Sequence, residues 1–315
     1  MGIIPSVDQS AIPNMVYLPM DPTDTLMAAQ RYVTSQVEAI AQSEGDGATV
    51  RRSIGTSELE NFDPFLMLDE FMVEPPAGFP DHPHRGFETV TYMLEGIVAH
   101  EDFAGHKGEI GPGDLQWMTA GRGIVHAEMP QTKCRGLQLW VNLSATEKMC
   151  EPRYQELLDK EIPRVSPPGV DAVIKVIAGH SFGVSSPVVT KTPTMYLDFK
   201  VEKNSKFEQV IPESYQGFLY ILEGEGYFGS KNTLGKAHHT LTLSEEGGSV
   251  SIETKDSGVH FVLVAGEPIK EPVVQYGPFV MNHSSDIQRT FIDYRMGMNG
   301  FERARTWRSE IGNRR

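Results

Sequence analysis

From Ala48 onward, the apolar residues fall in short runs interrupted by glycine and proline. FETVTYMLEG, GDLQWMTAG, GLQLWVNL and AVIKVIAG are each rich in β-branched and aromatic residues and end in turn residues. Such runs predict the strands of an all-β sandwich or barrel. Two of them echo each other. TVTYMLEG at 89–96 and GFLYILEG at 217–224 share an aromatic, an aliphatic, Leu, Glu and Gly in the same order. Gly96 and Gly224 lie one domain length apart, so the chain reads as two copies of one β-domain. The proline-rich stretch EIPRVSPPGVD at 161–171 is the natural linker. This divides the chain into a first domain at 46–162 and a second at 163–295.

The two ends read differently. Leu26, Ala29, Val33, Val37 and Ile40 recur at helical spacing behind an N-cap at Thr23 or Asp24, before the loop chemistry of SEGDG. Residues 1–45 are therefore expected to form an extension with one amphipathic helix. In the final segment, 296–315, Phe301, Ala304, Trp307 and Ile311 predict a second short helix that packs back on a β-face.

Composition narrows the function. The chain has 315 residues, enough for about two domains, and 39% hydrophobic with 22% charged residues suits a water-soluble, core-forming protein. A net charge of −14 disfavours generic binding to a nucleic-acid backbone, which needs clustered positive charge. The two cysteines, Cys134 and Cys150, cannot make a disulfide framework or a thiolate zinc site. No apolar run approaches the ~20 residues of a membrane helix. The first residues lack a basic segment followed by a compact apolar one, and they match the myristoylation pattern only formally. A reducing compartment, cytoplasm or nucleus, is expected.

Candidate chemistry sits in two short strings. In PDHPHRGFET, His82 and His84 are two apart, so on a strand both side chains face the same way. In GRGIVHAEMP, His126 and Glu128 repeat that geometry. If the two strands are neighbours with these faces turned inward, three imidazoles and one carboxylate converge. Such a set suits Fe, Mn, Ni, Cu or Zn, and with open positions it suits non-haem iron best. One HxH among ten histidines is unremarkable; the framing by LEG on one side and a Gly-rich turn on the other singles these out. His238 and His239 are adjacent and would face opposite ways on a strand, and no HxH precedes the second LEG, so no metal is expected in the second domain. His100 and His106 read as parts of a polar hairpin, with lining of the cavity mouth as the alternative, Trp117 reads as packing, and Gln116 as a hydrogen-bonding neighbour of the site.

HxH, a strand, LEG, then GD, a strand, a Gly turn and His together resemble the two metal-binding motifs of the cupin superfamily. FPDHPHRGFETVTYMLEG, HEDFAGHKGEIGPGDLQWMTAGRGIVHAEMP, GEPIKEPVVQYGPFVMN, VRRSIG and NGFERARTWRS resemble the pirin family over roughly residues 46–313. That resemblance implies two tandem cupin jelly-roll barrels facing each other. It implies one Fe(II)/Fe(III) ion held by His82, His84, His126 and Glu128. Many cupins take their carboxylate after four intervening residues past HxH. Here that position is Thr89, and Glu88, offset by one, would point to the other face.

The resemblance further implies a monomeric, iron-dependent transcriptional coregulator of nucleus and cytoplasm that meets NF-kappa-B-type factors. A small basic surface around Arg51, Arg52 and Arg85 would make the contact, with no direct nucleic-acid or membrane binding. The alternative implied activity is an Fe(II) dioxygenase of the quercetin 2,3-dioxygenase type acting on a flavonol, with Glu128 as a catalytic group.

Overall fold

In a computed structural model of the protein, residues 29–44 and 47–312 are described. The first domain folds as two facing antiparallel sheets. Seven strands follow the spatial order Arg153–Leu157, Leu115–Thr119, Phe87–Glu95, Cys134–Asn142, Phe65–Val73, Ala48–Ile54 and Ala41–Glu44. Against them lie four more, in the order Phe79–His84, Ile124–Pro130, Val98–Asp102 and Lys107–Ile110. The second domain is a ten-stranded sheet system that includes Thr194–Val201, Gln216–Phe228, His239–Leu243 and Val259–Gly266. The repeated LEG strings occupy corresponding central strands, Phe87–Glu95 and Gln216–Phe228. The linker contributes Arg164–Val165 to the edge of the second sheet.

Strand alternation decides what each face does. On Phe87–Glu95, Val90 and Tyr92 point between the barrels, while Thr91 and Met93 point into the first barrel. The core between the domains joins Val90, Leu115, Trp117, Leu137 and Leu139 to Tyr196, Phe218, Leu222, Val262 and Val264. Fully burying each such side chain is worth about 1.5–3 kcal/mol, so this seam holds the barrels face to face. Two polar exchanges cross it. Tyr92 Oη of the first LEG strand donates to Asp198 of the second domain at 2.6 Å, and Tyr220 Oη of the second donates to Glu70 of the first at 2.7 Å. A histidine backs each carboxylate, His260 at 2.7 Å from Asp198 and His238 at 3.0 Å from Glu70.

Both terminal helices expected from the sequence are corrected. Val33–Glu38 and Ala41–Glu44 are strands, the former pairing with His239–Leu243 of the second barrel and the latter with Ala48–Ile54 of the first. Ala29, Val33 and Val37 are spaced by four, which puts them on one side of a strand as well as of a helix, and β-branched Val33, Thr34 and Val37 favour the strand. Thr23, Asp24 and Leu26 lie outside the described residues. At the other end, Phe301, Ala304 and Trp307 do pack inward, but on successive turns rather than a helix. So short a segment after Asn299–Gly300 has too few turns to repay helix nucleation.

The α-helix observed near the C-terminus is Ser284–Met296, ending at Gly297 in the left-handed conformation with φ 69°. Its buried positions, Ile287, Thr290 and Asp293, include two polar residues, so no apolar period announces it. The helix and the segment after it lie across the first barrel, where Phe279, Met281, Ile287 and Phe301 pack on Phe103, Met118, Ile124 and Val125.

Candidate metal centre

The strand Ile124–Pro130 is hydrogen-bonded between Phe79–His84 and Val98–Asp102, which places His126 opposite His82 and Glu128 opposite His100. A register shift between His126 and Glu128 turns Glu128 opposite Phe79. The result is one cluster: one ring nitrogen from each of His82, His84 and His126 lies within 4.8 Å of the others. The His82–His126 ring centroids are 4.3 Å apart. Glu128 stands beside them, Oε2 lying 4.0 Å from His126 Nε2. The structure thus brings all four sequence-predicted residues to one wall of the first barrel.

The chemistry of the cluster favours a cation. His84 and His126 are 3% and 1% exposed, and among the described residues no ring nitrogen of either makes a hydrogen bond of ordinary geometry. Buried polar atoms left unpaired cost about 1–3 kcal/mol each, a cost a divalent ion on their lone pairs would offset. Burial, then the neighbouring histidines, holds both imidazolium pKa values well below the ordinary 6.5, so both rings stay neutral and ready to ligate. His82 is half-buried, and its Nδ1 donates to the Pro80 carbonyl at 2.8 Å, leaving Nε2 bare toward the cluster. These residues fit a first-row divalent ion.

Several supporting residues carry no motif. Thr91 Oγ1 lies 3.1 Å from Glu128 Oε1 and 2.8 Å from Gln138 Oε1, while Gln138 Nε2 reaches Glu128 at 3.5 Å. Lys148 is buried with its pKa pulled down to about 8 by desolvation, and its ammonium donates to the Gly86 carbonyl and Asn142 just past the HPH string. Gly86 has φ 89°, and a Cβ there would sit 1.9 Å from the Val280 carbonyl, so the C-terminal segment presses directly on the turn after the ligands. One signal was available for Thr91: a period of two puts it with Thr89 on one strand face, opposite Val90 and Tyr92. The C-terminal residues gave none.

A cavity of about 400 Å³ opens from the cluster. His82, Glu128, Phe71, Phe79, Met67 and Trp140 line it, together with Gln275 and Pro278 of the C-terminal segment. Arg52 also reaches it, paired through two nitrogens to Asp69 at 2.9 and 2.7 Å and to Glu44 at 2.8 Å.

The remaining sequence candidates find other places. Glu88 faces away from the barrel interior and accepts from Thr119 at 2.6 Å, and burial raises its pKa. Gln116 bonds to Glu156, which also pairs with His100 at 3.0 Å, and His106 pairs with Asp102. Trp117 is buried in the interdomain core, and His239 Nδ1 meets the Ala237 carbonyl. The basic surface expected around Arg51, Arg52 and Arg85 is corrected at Arg85. Arg85 is 1% exposed and clamped by Asp293 at 2.8 Å, Arg52 is held by two carboxylates, and Arg51 donates to Ala39. Of the three, Arg85 is the one withdrawn from the surface: it follows directly on His84 at the strand end and bridges to Phe279 of the C-terminal segment.

Two facing jelly-roll barrels with a histidine cluster inside the first define a bicupin with a candidate metal centre. Sequence models narrow this: the Pirin model matches residues 47–141 and the model of the Pirin C-terminal cupin domain matches residues 196–300. The chain is 58% identical over 290 residues to a pirin-like protein of Solanum lycopersicum, with 91% of this chain and 99% of that one covered. It is 55% identical over 293 residues to Pirin of Homo sapiens, covering 91% and 100%. Among solved structures, a quercetin 2,3-dioxygenase from Acinetobacter baumannii is similar at 31% identity and TM-score 0.79, covering 85% of this chain and 98% of that one. The chain belongs to the pirin family.

Proposed function

We propose that the centre holds one iron ion through His82, His84, His126 and Glu128 and acts as a dioxygenase of the quercetin 2,3-dioxygenase type on a flavonol. The observation that carries this reading is the cavity of about 400 Å³ that ends on His82 and Glu128. Its size falls within the roughly 300–1,000 Å³ of small-molecule sites, and its aromatic walls suit a flat polyphenol. Bound to these side chains, iron would supply open coordination positions and one-electron chemistry. Glu128 is the base: its carboxylate, oriented by Thr91 and Gln138, accepts the proton of the flavonol hydroxyl that enters the cluster. Phe71 and Trp140 hold the rings, and Gln275 with Pro278 of the C-terminal segment narrows the space left to water.

The test is anaerobic loading with Fe(II), then addition of oxygen and quercetin, following loss of the flavonol chromophore and metal content. Turnover in the wild type that is absent in Glu128→Ala supports the reading; equal rates in both reject it.

A second reading is a redox-sensitive coregulator of nucleus and cytoplasm that meets NF-kappa-B-type factors. One observation favours it: Arg85, next to His84, ties the ligand strand to the C-terminal helix through Asp293. Three neutral imidazoles and one carboxylate would leave a site charge of about +1 with Fe(II) and about +2 with Fe(III), felt strongly in a low-dielectric interior. Partner affinity unchanged among ferrous, ferric and metal-free protein rejects this reading.

A further inference from the structure

The helix Ser284–Met296 buries Ile287, Thr290 and Asp293 and turns its opposite side to solvent. Along that outer side Gln288, Ile292 and Met296 follow one another at intervals of four, with Arg289 on one flank and Arg295 on the other. Ile292 is 58% and Met296 57% exposed. Phe291 extends the apolar area sideways to the exposed ring of Tyr276, 5.2 Å away, and Met298 extends it beyond the helix end. Arg289 and Arg295 make no ion pair or hydrogen bond among the described residues. From Ser284 to the end, seven arginines stand against four carboxylates, in a chain whose net charge is −14. One of those four, Asp293, is already taken by Arg85.

An apolar stripe flanked by two uncompensated cations is one half of a helix-in-groove contact. The geometry points to this face as the docking site for an acidic, amphipathic peptide segment of a partner protein, its apolar side on Ile292 and Met296 and its carboxylates on Arg289 and Arg295. Charge selects this occupant. A second copy packed isologously would bring arginines against arginines. A lipid surface recruits through clusters of about 4–8 basic residues, where this stripe has two. The surface lies on the far side of the helix from the metal centre and stands whichever reading of that centre holds.

The test uses the full chain and fluorescence anisotropy with a short synthetic helical peptide carrying Leu at i, i+4 and i+7 and Glu beside them. A control peptide carries Lys in place of Glu. The Glu peptide binds, and its affinity falls with added salt. Arg289→Glu with Arg295→Glu weakens it about tenfold or more, as does Ile292→Ser with Met296→Ser. Metal content and thermal unfolding stay unchanged in both double variants, since every altered side chain faces solvent. Equal binding of the Lys peptide, or Glu-peptide affinity indifferent to both double variants, overturns the inference. So does sedimentation showing a dimer that Ile292→Ser with Met296→Ser dissolves, or binding to phosphatidylserine vesicles without binding to the peptide.

Discussion

Replacing Arg85 by Met keeps most of the side-chain volume and removes a buried cation. The guanidinium donates to the carbonyls of Arg122 and Asn299, both at 2.6 Å, to Thr290 at 3.1 Å and to Asp293 at 2.8 Å, and lies 4.6 Å from the centre of the Phe301 ring. Without it, the Asp293 carboxylate, 3% exposed, keeps only Asn299 Nδ2 as a partner among the described residues. Stranding one member of a buried pair costs about 3–5 kcal/mol. Asp293→Asn is milder, because Arg85 retains two carbonyls and a hydroxyl; the loss of one charged bond there is about 1.5–3 kcal/mol. Urea unfolding of the two single variants and the double variant gives the coupling directly. The expected order is Arg85→Met worst, with the double variant more stable than the sum of the singles by at least about 1 kcal/mol. Metal content falls as well, although no ligand is touched, because the clamp fixes the strand end that carries His84. Arg85→Met within about 0.5 kcal/mol of wild type, with full metal content, would refute this account of the clamp.

In metal-free protein, His84 and His126 resist protonation when folded, while in the unfolded chain each titrates near its ordinary 6.5. The unfolded state therefore takes up protons first as pH falls, so stability is flat well above pH 6.5 and declines as pH falls through and below it. Urea midpoints across this range should fall in the wild type and flatten in His84→Gln with His126→Gln; equally steep curves would contradict the burial argument. Tyr92→Phe and Tyr220→Phe each remove a hydroxyl from a buried carboxylate across the domain seam and should cost about 1.5–3 kcal/mol in chemical unfolding. A loss under about 0.5 kcal/mol would mean that the apolar seam alone joins the barrels. Changing His238 and His239 together to Ala should leave metal content unchanged by elemental analysis, whereas a fall would give the second barrel a role in holding the ion.

The β-class, the duplicated domain and the ligand candidates were legible in the sequence because each depends on local spacing. A period of two settles which residues share a strand face, so His82 with His84, and His126 with Glu128, could be paired before any strand was placed. The same rule separates Glu88 from Thr91. Where a spacing satisfies two periods, it does not choose between them: Ala29, Val33 and Val37 fit helix and strand alike, and beyond a β-branched preference it is pairing with His239–Leu243 of the second barrel that makes Val33–Glu38 a strand.

What the linear pattern could not contain is what depends on partners hundreds of residues away. Arg85 looked like surface charge and is a buried clamp, since Asp293 and Asn299 come from the far end of the chain. The helix carrying Asp293 has a polar buried stripe that makes sense only opposite that guanidinium. Gln275 and Pro278 line a cavity otherwise built by the other domain. Side-chain direction along a strand is a property of the backbone and is written locally, whereas burial, charge pairing and cavity shape are set by which distant segments meet, and that is decided only when the chain closes on itself.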